Sequence, residues 1–132
     1  MTFVDTNILL DLLKEDSDWA AWSEHQLNVA SARGSLLITD VVFAELSVGA
    51  PGVEETDAFL DSVGISVTPC PKPGLFLAAK AFMNYRRRGG PRTGVLPDFF
   101  IGAHAAVAGA PLLTRDTSRY RTYFPTLELI GP

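Results

Sequence analysis

A single cysteine, Cys70, stands among the 132 residues, held between prolines in TPCPKPG. One thiol closes no internal disulfide. No histidine or second cysteine lies near it at the spacing of a zinc site or a thiol nucleophile's base, so a reducing compartment is the simplest reading. Histidine is nearly as scarce, at two residues. Positive charge is in deficit as well: the net charge of −4 excludes a protein that coats nucleic acid by bulk electrostatics. Long apolar runs are missing. The longest, Phe99 to Leu113, is broken by His104 and Pro111 and falls short of the roughly 20 apolar residues that span a bilayer. The start, MTFVDTNILLDLLKED, carries acids where a secretory leader needs a basic end and an unbroken apolar stretch. A cytoplasmic protein with no membrane segment is expected. Repeats, low-complexity tracts and a glycine-rich loop ending in Gly-Lys-Ser/Thr are also absent.

What is present suits an ordinary globular chain, with 47% hydrophobic and 20% charged residues, and residues 1–132 are expected to make one domain. Charge is unevenly spread. Of 15 acids, 12 lie before Arg86, with only 4 of the 11 bases; the other 3 acids and 7 bases follow.

Short apolar runs alternate with helical patterns. Strands are expected at Phe3 and Val4, Leu36 to Thr39, Ile65 to Thr68, Pro111 to Thr114 and near Leu127 to Ile130. Between them, helices are expected over Asn7 to Lys14, Trp19 to Ala32 (capped by Ser17 or Asp18), VVFAELSV behind a capping Asp40, Val53 to Val63, Leu75 to Arg88 and from Asp98 onward. A short helical turn is expected around Tyr120. This order implies βαβ units with right-handed crossovers: an α/β fold with a short central parallel sheet of four to five strands flanked by helices in three layers. In such a sheet helix N-termini gather at the strand C-termini, where open α/β sheets bind ligands.

Four acids fall at that edge. Asp5 follows the first strand, Glu45 sits early in the helix after the second, Asp98 opens a helix before PLLT, and Asp116 lies just beyond it. Asp5, Asp98 and Asp116 each also read as helix caps. Glu45 does not, because its helical neighbours Val41, Val48 and Gly49 are apolar or small. Two carboxylates about 4 Å apart repel by roughly 4 kcal/mol at an effective dielectric near 20. Bound cations relieve this, and an all-oxygen donor set suits Mg²⁺ or Mn²⁺ rather than zinc. Thr6, Asn7 and Thr114 flank the acids and are suited to orienting them. Gly102 and Ala105 share a helix face with Asp98, leaving room for close packing, whereas His104 lies about 240° around the helix. His104 reads as a packing or surface residue, His25 as surface, and Asp11 as a solvated helix position. In YRRRGGPRTG, Arg88 and Arg92 flank a glycine pair upstream of Asp98, positioned to meet a backbone phosphate, with Arg115, Arg119 and Arg121 adding to the rim; the plainer reading is a cationic helix C-terminus.

FVDTNILL, TDVVFAEL, RRRGGPRTGVLPDFFIGAHAAVAG and PLLTRDTSRYRTYFP together resemble the PIN-domain ribonucleases, in particular the VapC-type toxins of toxin–antitoxin pairs, in order and along the whole chain. The resemblance implies a Mg²⁺- or Mn²⁺-dependent endoribonuclease, homodimeric and inhibited by a cognate antitoxin. Its acids fall on Asp5, Glu45, Asp98 and Asp116; Asp5, Asp98 and Asp116 would hold metal, and Glu45 would position water. Two other readings remain. A phosphoacceptor receiver-like domain would want paired acids after the first strand and a lysine late in the sheet, where this chain has Arg115 after Thr114. A non-catalytic module would use the acidic cleft to capture a basic partner peptide.

Overall fold

The computed structural model describes residues 1–14, 17–92 and 94–132. Five parallel strands lie in the order β3-β2-β1-β4-β5: β1 (Thr2–Val4), β2 (Leu36–Thr39), β3 (Ile65–Thr68), β4 (Leu112–Leu113) and β5 (Leu129–Ile130). Helices α1 (Thr6–Leu13) and α2 (Ala20–Arg33) join β1 to β2. Helices α3 (Asp40–Ser47) and α4 (Val53–Val63) join β2 to β3. Helices α5 (Lys72–Arg87) and α6 (Leu96–Ala108) lead to β4, and α7 (Ser118–Tyr123) to β5. The expected α/β architecture is what the chain forms. The strand order reverses at β1, so the crevice beside its C-terminal end is the topological switch point.

The strands are short because each carries only a few uninterrupted apolar residues. Those are covered on both faces: Phe3, Val4, Ile38, Leu112 and Leu113 are all essentially inaccessible to solvent, as a buried parallel sheet requires. Ile8 and Leu9 of α1, Val42 of α3, and Phe99 and Ile101 of α6 complete the centre of the core. α6 reaches across the sheet, its His104 ring 4.6 Å from that of Phe3 and its Nδ1 2.7 Å from the Thr39 hydroxyl. Because that hydroxyl donates to Asp40, it accepts from the imidazole, fixing the Nδ1–H tautomer. His104 is thus a buried packing residue, and burial depresses its pKa.

Several boundaries differ from expectation for local reasons. α5 starts at Lys72 rather than Leu75 because Pro73 is accommodated in the first turn, where its missing N–H costs no helical hydrogen bond. The same device, Pro97, starts α6 ahead of Asp98, and Val95 occupies the N-cap. Gly64 and Gly109, at φ of 71° and 64°, end α4 and α6 in the left-handed conformation.

One expectation is overturned. Asp11 is not solvated: it is 2% exposed because α2 packs over its face of α1, bringing Ser23 against it. Burial raises its pKa, but bonds from Arg115, Ser23 and Ser17 outweigh that and hold it below the usual carboxylate range. Arg115 meets Asp11 through Nε at 2.7 Å and Nη2 at 2.9 Å, with its guanidinium over the Trp19 ring. The guanidinium expected to meet RNA phosphate is therefore committed to bracing α1 against the β4–α7 loop.

Candidate functional site

Asp5 leaves β1 and becomes the N-cap of α1, so the cap reading of this residue holds. Its Oδ1 accepts from the Thr6 amide at 2.7 Å. Its Oδ2 accepts from the Thr114 hydroxyl at 2.7 Å and the Tyr120 hydroxyl at 3.0 Å, with the Asn7 amide at 3.4 Å. Asn7 is itself oriented by the Arg115 amide, which donates to its Oδ1. Thr6, Asn7 and Thr114 thus each donate a hydrogen bond to Asp5. Thr6 donates to Glu45 Oε1 at 2.6 Å, linking α1 to α3, and the Asp116 amide donates to Thr114 Oγ1 at 3.1 Å.

Glu45 is half-buried, although Val48 beside it is 88% exposed, so the apolar face inferred for this helix is only partly covered. Asp98 is third in α6, makes no cap bond, and accepts instead from Arg119 Nη1 at 2.5 Å. Asp116 is exposed and accepts from Ser118 Oγ at 3.2 Å; Thr117, not Asp116, is the N-cap of α7. The four acids arrive from four separate segments and line one cavity of about 190 Å³, shared with Thr6, Asn7, Leu10 and Tyr120. No bond within any single helix required this convergence.

Electrostatics record the crowding. Asp5 is pushed from 3.8 up to about 6, chiefly by burial; bonds from Thr114, Tyr120 and Thr6 oppose the rise and the Asp98 charge adds to it. Asp98 is also raised, first by burial, with Arg119 opposing and Glu45 and Asp116 adding. Tyr120, buried against these charges, is held well above its usual pKa and stays a donor. In the sequence Tyr120 marks only a helical turn. The available signal was its position one helical turn beyond Asp116, but nothing local indicated that α7 would fold back over Asp5.

The basic residues divide. Arg88 is exposed and lies over the Tyr123 ring at 5.5 Å, and Arg92 is exposed in the segment before α6. Arg86 is used within its own turn, donating to the Gly90 carbonyl at 2.7 Å.

The PIN domain family model matches residues 2–125. The chain belongs to the PIN domain family. Solved structures agree on the PIN fold. Residues of the chain superpose on VapBC2 from Rickettsia felis bound to a promoter DNA fragment with a TM-score of 0.74 at 19% identity, covering 98% of this chain and 97% of that one. DNA-bound VapBC from Salmonella typhimurium gives 0.71 at 18%, covering 98% and 96%. VapBC-5 from Mycobacterium tuberculosis gives 0.60 at 20%, covering 99% and 98%. No curated protein matches by sequence. Among the described residues no helix is long and apolar enough to cross a membrane.

As a site for the divalent metal that PIN nucleases use, the cavity fits by chemistry: its donors are carboxylate oxygens, and Asp5 and Asp98 are raised in pKa first by burial and further by neighbouring carboxylate charge. Among the described residues no three Asp, Glu, His or Cys side chains yet converge as closely as a ligand set.

Proposed function

We propose that the chain is a metal-dependent endoribonuclease, the cytoplasmic toxin of a toxin–antitoxin pair. The observation that carries this reading is the convergence of Asp5, Glu45, Asp98 and Asp116 on one cavity at the switch point of the sheet. Asp5, Asp98 and Asp116 would hold Mg²⁺ or Mn²⁺. Bound there, such an ion supplies Lewis acidity that stabilises phosphodiester charge and acidifies water. Thr114, Tyr120 and the Thr6 amide hold Asp5 in one orientation, so its lone pairs need not reorganise when they are used. Glu45, tied to Thr6, positions the attacking water. Water attacks phosphorus in line, the P–O3′ bond breaks, and the products are a 5′-phosphate and a 3′-hydroxyl. Arg88 and Arg92 contact flanking phosphates, which contributes affinity rather than sequence choice.

A second groove favours the antitoxin. It measures about 620 Å³, is lined by Leu10, Leu13, Leu46, Val48, Pro51 and Phe59 among others, and shares Leu10 and Glu45 with the acidic cavity. An amphipathic helix laid in it could deliver a basic side chain to the carboxylates, which joins the peptide-capture reading to the nuclease one. The exposed Leu75 and Phe76 of α5 and Val107 of α6 support a homodimer, to be checked by light scattering.

The test is cleavage of a mixed structured-RNA pool in Mg²⁺ or Mn²⁺ by the parent and by Asp98→Asn purified identically. Cleavage by the parent alone is expected. Equal cleavage by both would reveal a contaminant or a misplaced site, and silence from both would favour the non-catalytic module.

A further inference from the structure

The acidic cavity is faced by a cation from its own chain. Arg119, on α7, donates to Asp98 Oδ2, and the two side chains are 28% and 29% exposed. The guanidinium rests over the Tyr85 ring, 5.8 Å from its centroid. Tyr85 is buried and wedged against Phe82, Phe99 and Tyr123, so the arginine has a rigid aromatic backing. Asp98 needs a positive neighbour, since Glu45 and Asp116 both act on it with like charge. A guanidinium donating to Oδ2 and a divalent ion ligated by Oδ2 place two cations on one oxygen, so each weakens the hold of the other.

We propose that Arg119 is a built-in counter-ion that competes with the divalent metal for Asp98 Oδ2 and so sets the metal affinity of the site. The inference rests on the metal-dependent reading above. In the metal-free protein Arg119 neutralises Asp98 and relieves the carboxylate repulsion. The incoming ion repels it from Oδ2, and the guanidinium stays at the cavity mouth over the Tyr85 ring, which packs against the Tyr123 ring that carries Arg88. Arg119 is thereby a positioning residue acting through Asp98.

The experiment is a Mn²⁺ titration of the full chain without RNA, followed by calorimetry and by the paramagnetic resonance signal of free Mn²⁺. Parent, Arg119→Gln and Arg119→Lys are compared, with melting temperatures in chelator and in Mn²⁺. Arg119→Gln is expected to bind Mn²⁺ about fivefold more tightly, the factor that corresponds to a half-exposed ion pair. It should melt lower than the parent in chelator and gain more on adding Mn²⁺, with Arg119→Lys close to the parent. A purely structural pair would lower the melting temperature and leave Mn²⁺ affinity unchanged, which overturns the proposal; weaker binding overturns it too, by making Arg119 an aid to the ion. If the parent binds no Mn²⁺, the metal-dependent reading fails and the proposal with it; if the parent binds and Arg119→Gln matches it, only the proposal fails.

Discussion

Replacing Asp5 with Asn should abolish cleavage and make the metal-free protein more stable. Asp5 is 4% exposed and its pKa rises from 3.8 to about 6 on folding. The direction sets the pH window. Below about pH 3.8 both states hold the proton; between there and about 6 only the native state does, so stability falls as pH rises; above about 6 the full cost applies. That cost is about 3 kcal/mol. Asn removes the charge and keeps the bonding. Its oxygen accepts from the Thr6 amide, and its NH₂ donates to the Thr114 and Tyr120 hydroxyls, which reverse direction. Allowing for imperfect mimicry, about 2 kcal/mol of stabilisation remains at neutral pH, or roughly 5–10 °C in melting temperature for a chain of this size. Thermal and urea unfolding in chelator, from pH 4 to 8, measure it beside RNA cleavage. The difference between variant and parent should grow from pH 4 to 6 and then level off. An Asp5→Asn protein no more stable than the parent at pH 7.5, or a difference independent of pH, would refute the reasoning.

Tyr120→Phe removes a donor that favours the Asp5 carboxylate, so its pKa rises further and the acidic limb of the cleavage profile should move to higher pH, seen in pH–rate profiles. Arg115→Ala leaves buried Asp11 with only serine hydroxyls; a loss of about 2–3 kcal/mol is expected in urea unfolding, discounted for the partial exposure of Arg115. Gly102→Ala would ordinarily favour a helix, but its Cβ would lie 2.6 Å from the Phe124 ring and 3.0 Å from that of Tyr120. A cost of about 1–3 kcal/mol is expected in thermal melts, together with lowered cleavage as Tyr120 shifts.

The acids show how far local reasoning reaches. Asp5 and Asp116 could be placed at the sheet edge because each follows an apolar run too short to be a helix, and parallel topology sends every such end to one side. Asp98 followed from the apolar helix it was expected to open, which runs back from that edge. Asp11 went wrong because helical spacing along α1 reports only which residues share a face, and not that α2 would cover this face with Ser23 beneath an arginine 104 residues away.

By itself, then, the sequence determined the alternation of strand and helix, the parallel sheet, the four acids at one edge and the close packing at Gly102. These depend on patterns within one turn or one strand, and on handedness rules that every chain obeys. The tertiary structure alone decided the partners: Tyr120 on Asp5, Thr6 on Glu45, Arg115 on Asp11 and Arg119 on Asp98. Those pairings join residues 21 to 115 positions apart. They are selected by which helices pack together and by the need of each buried charge or hydroxyl for a partner, a condition that exists only once the core has closed.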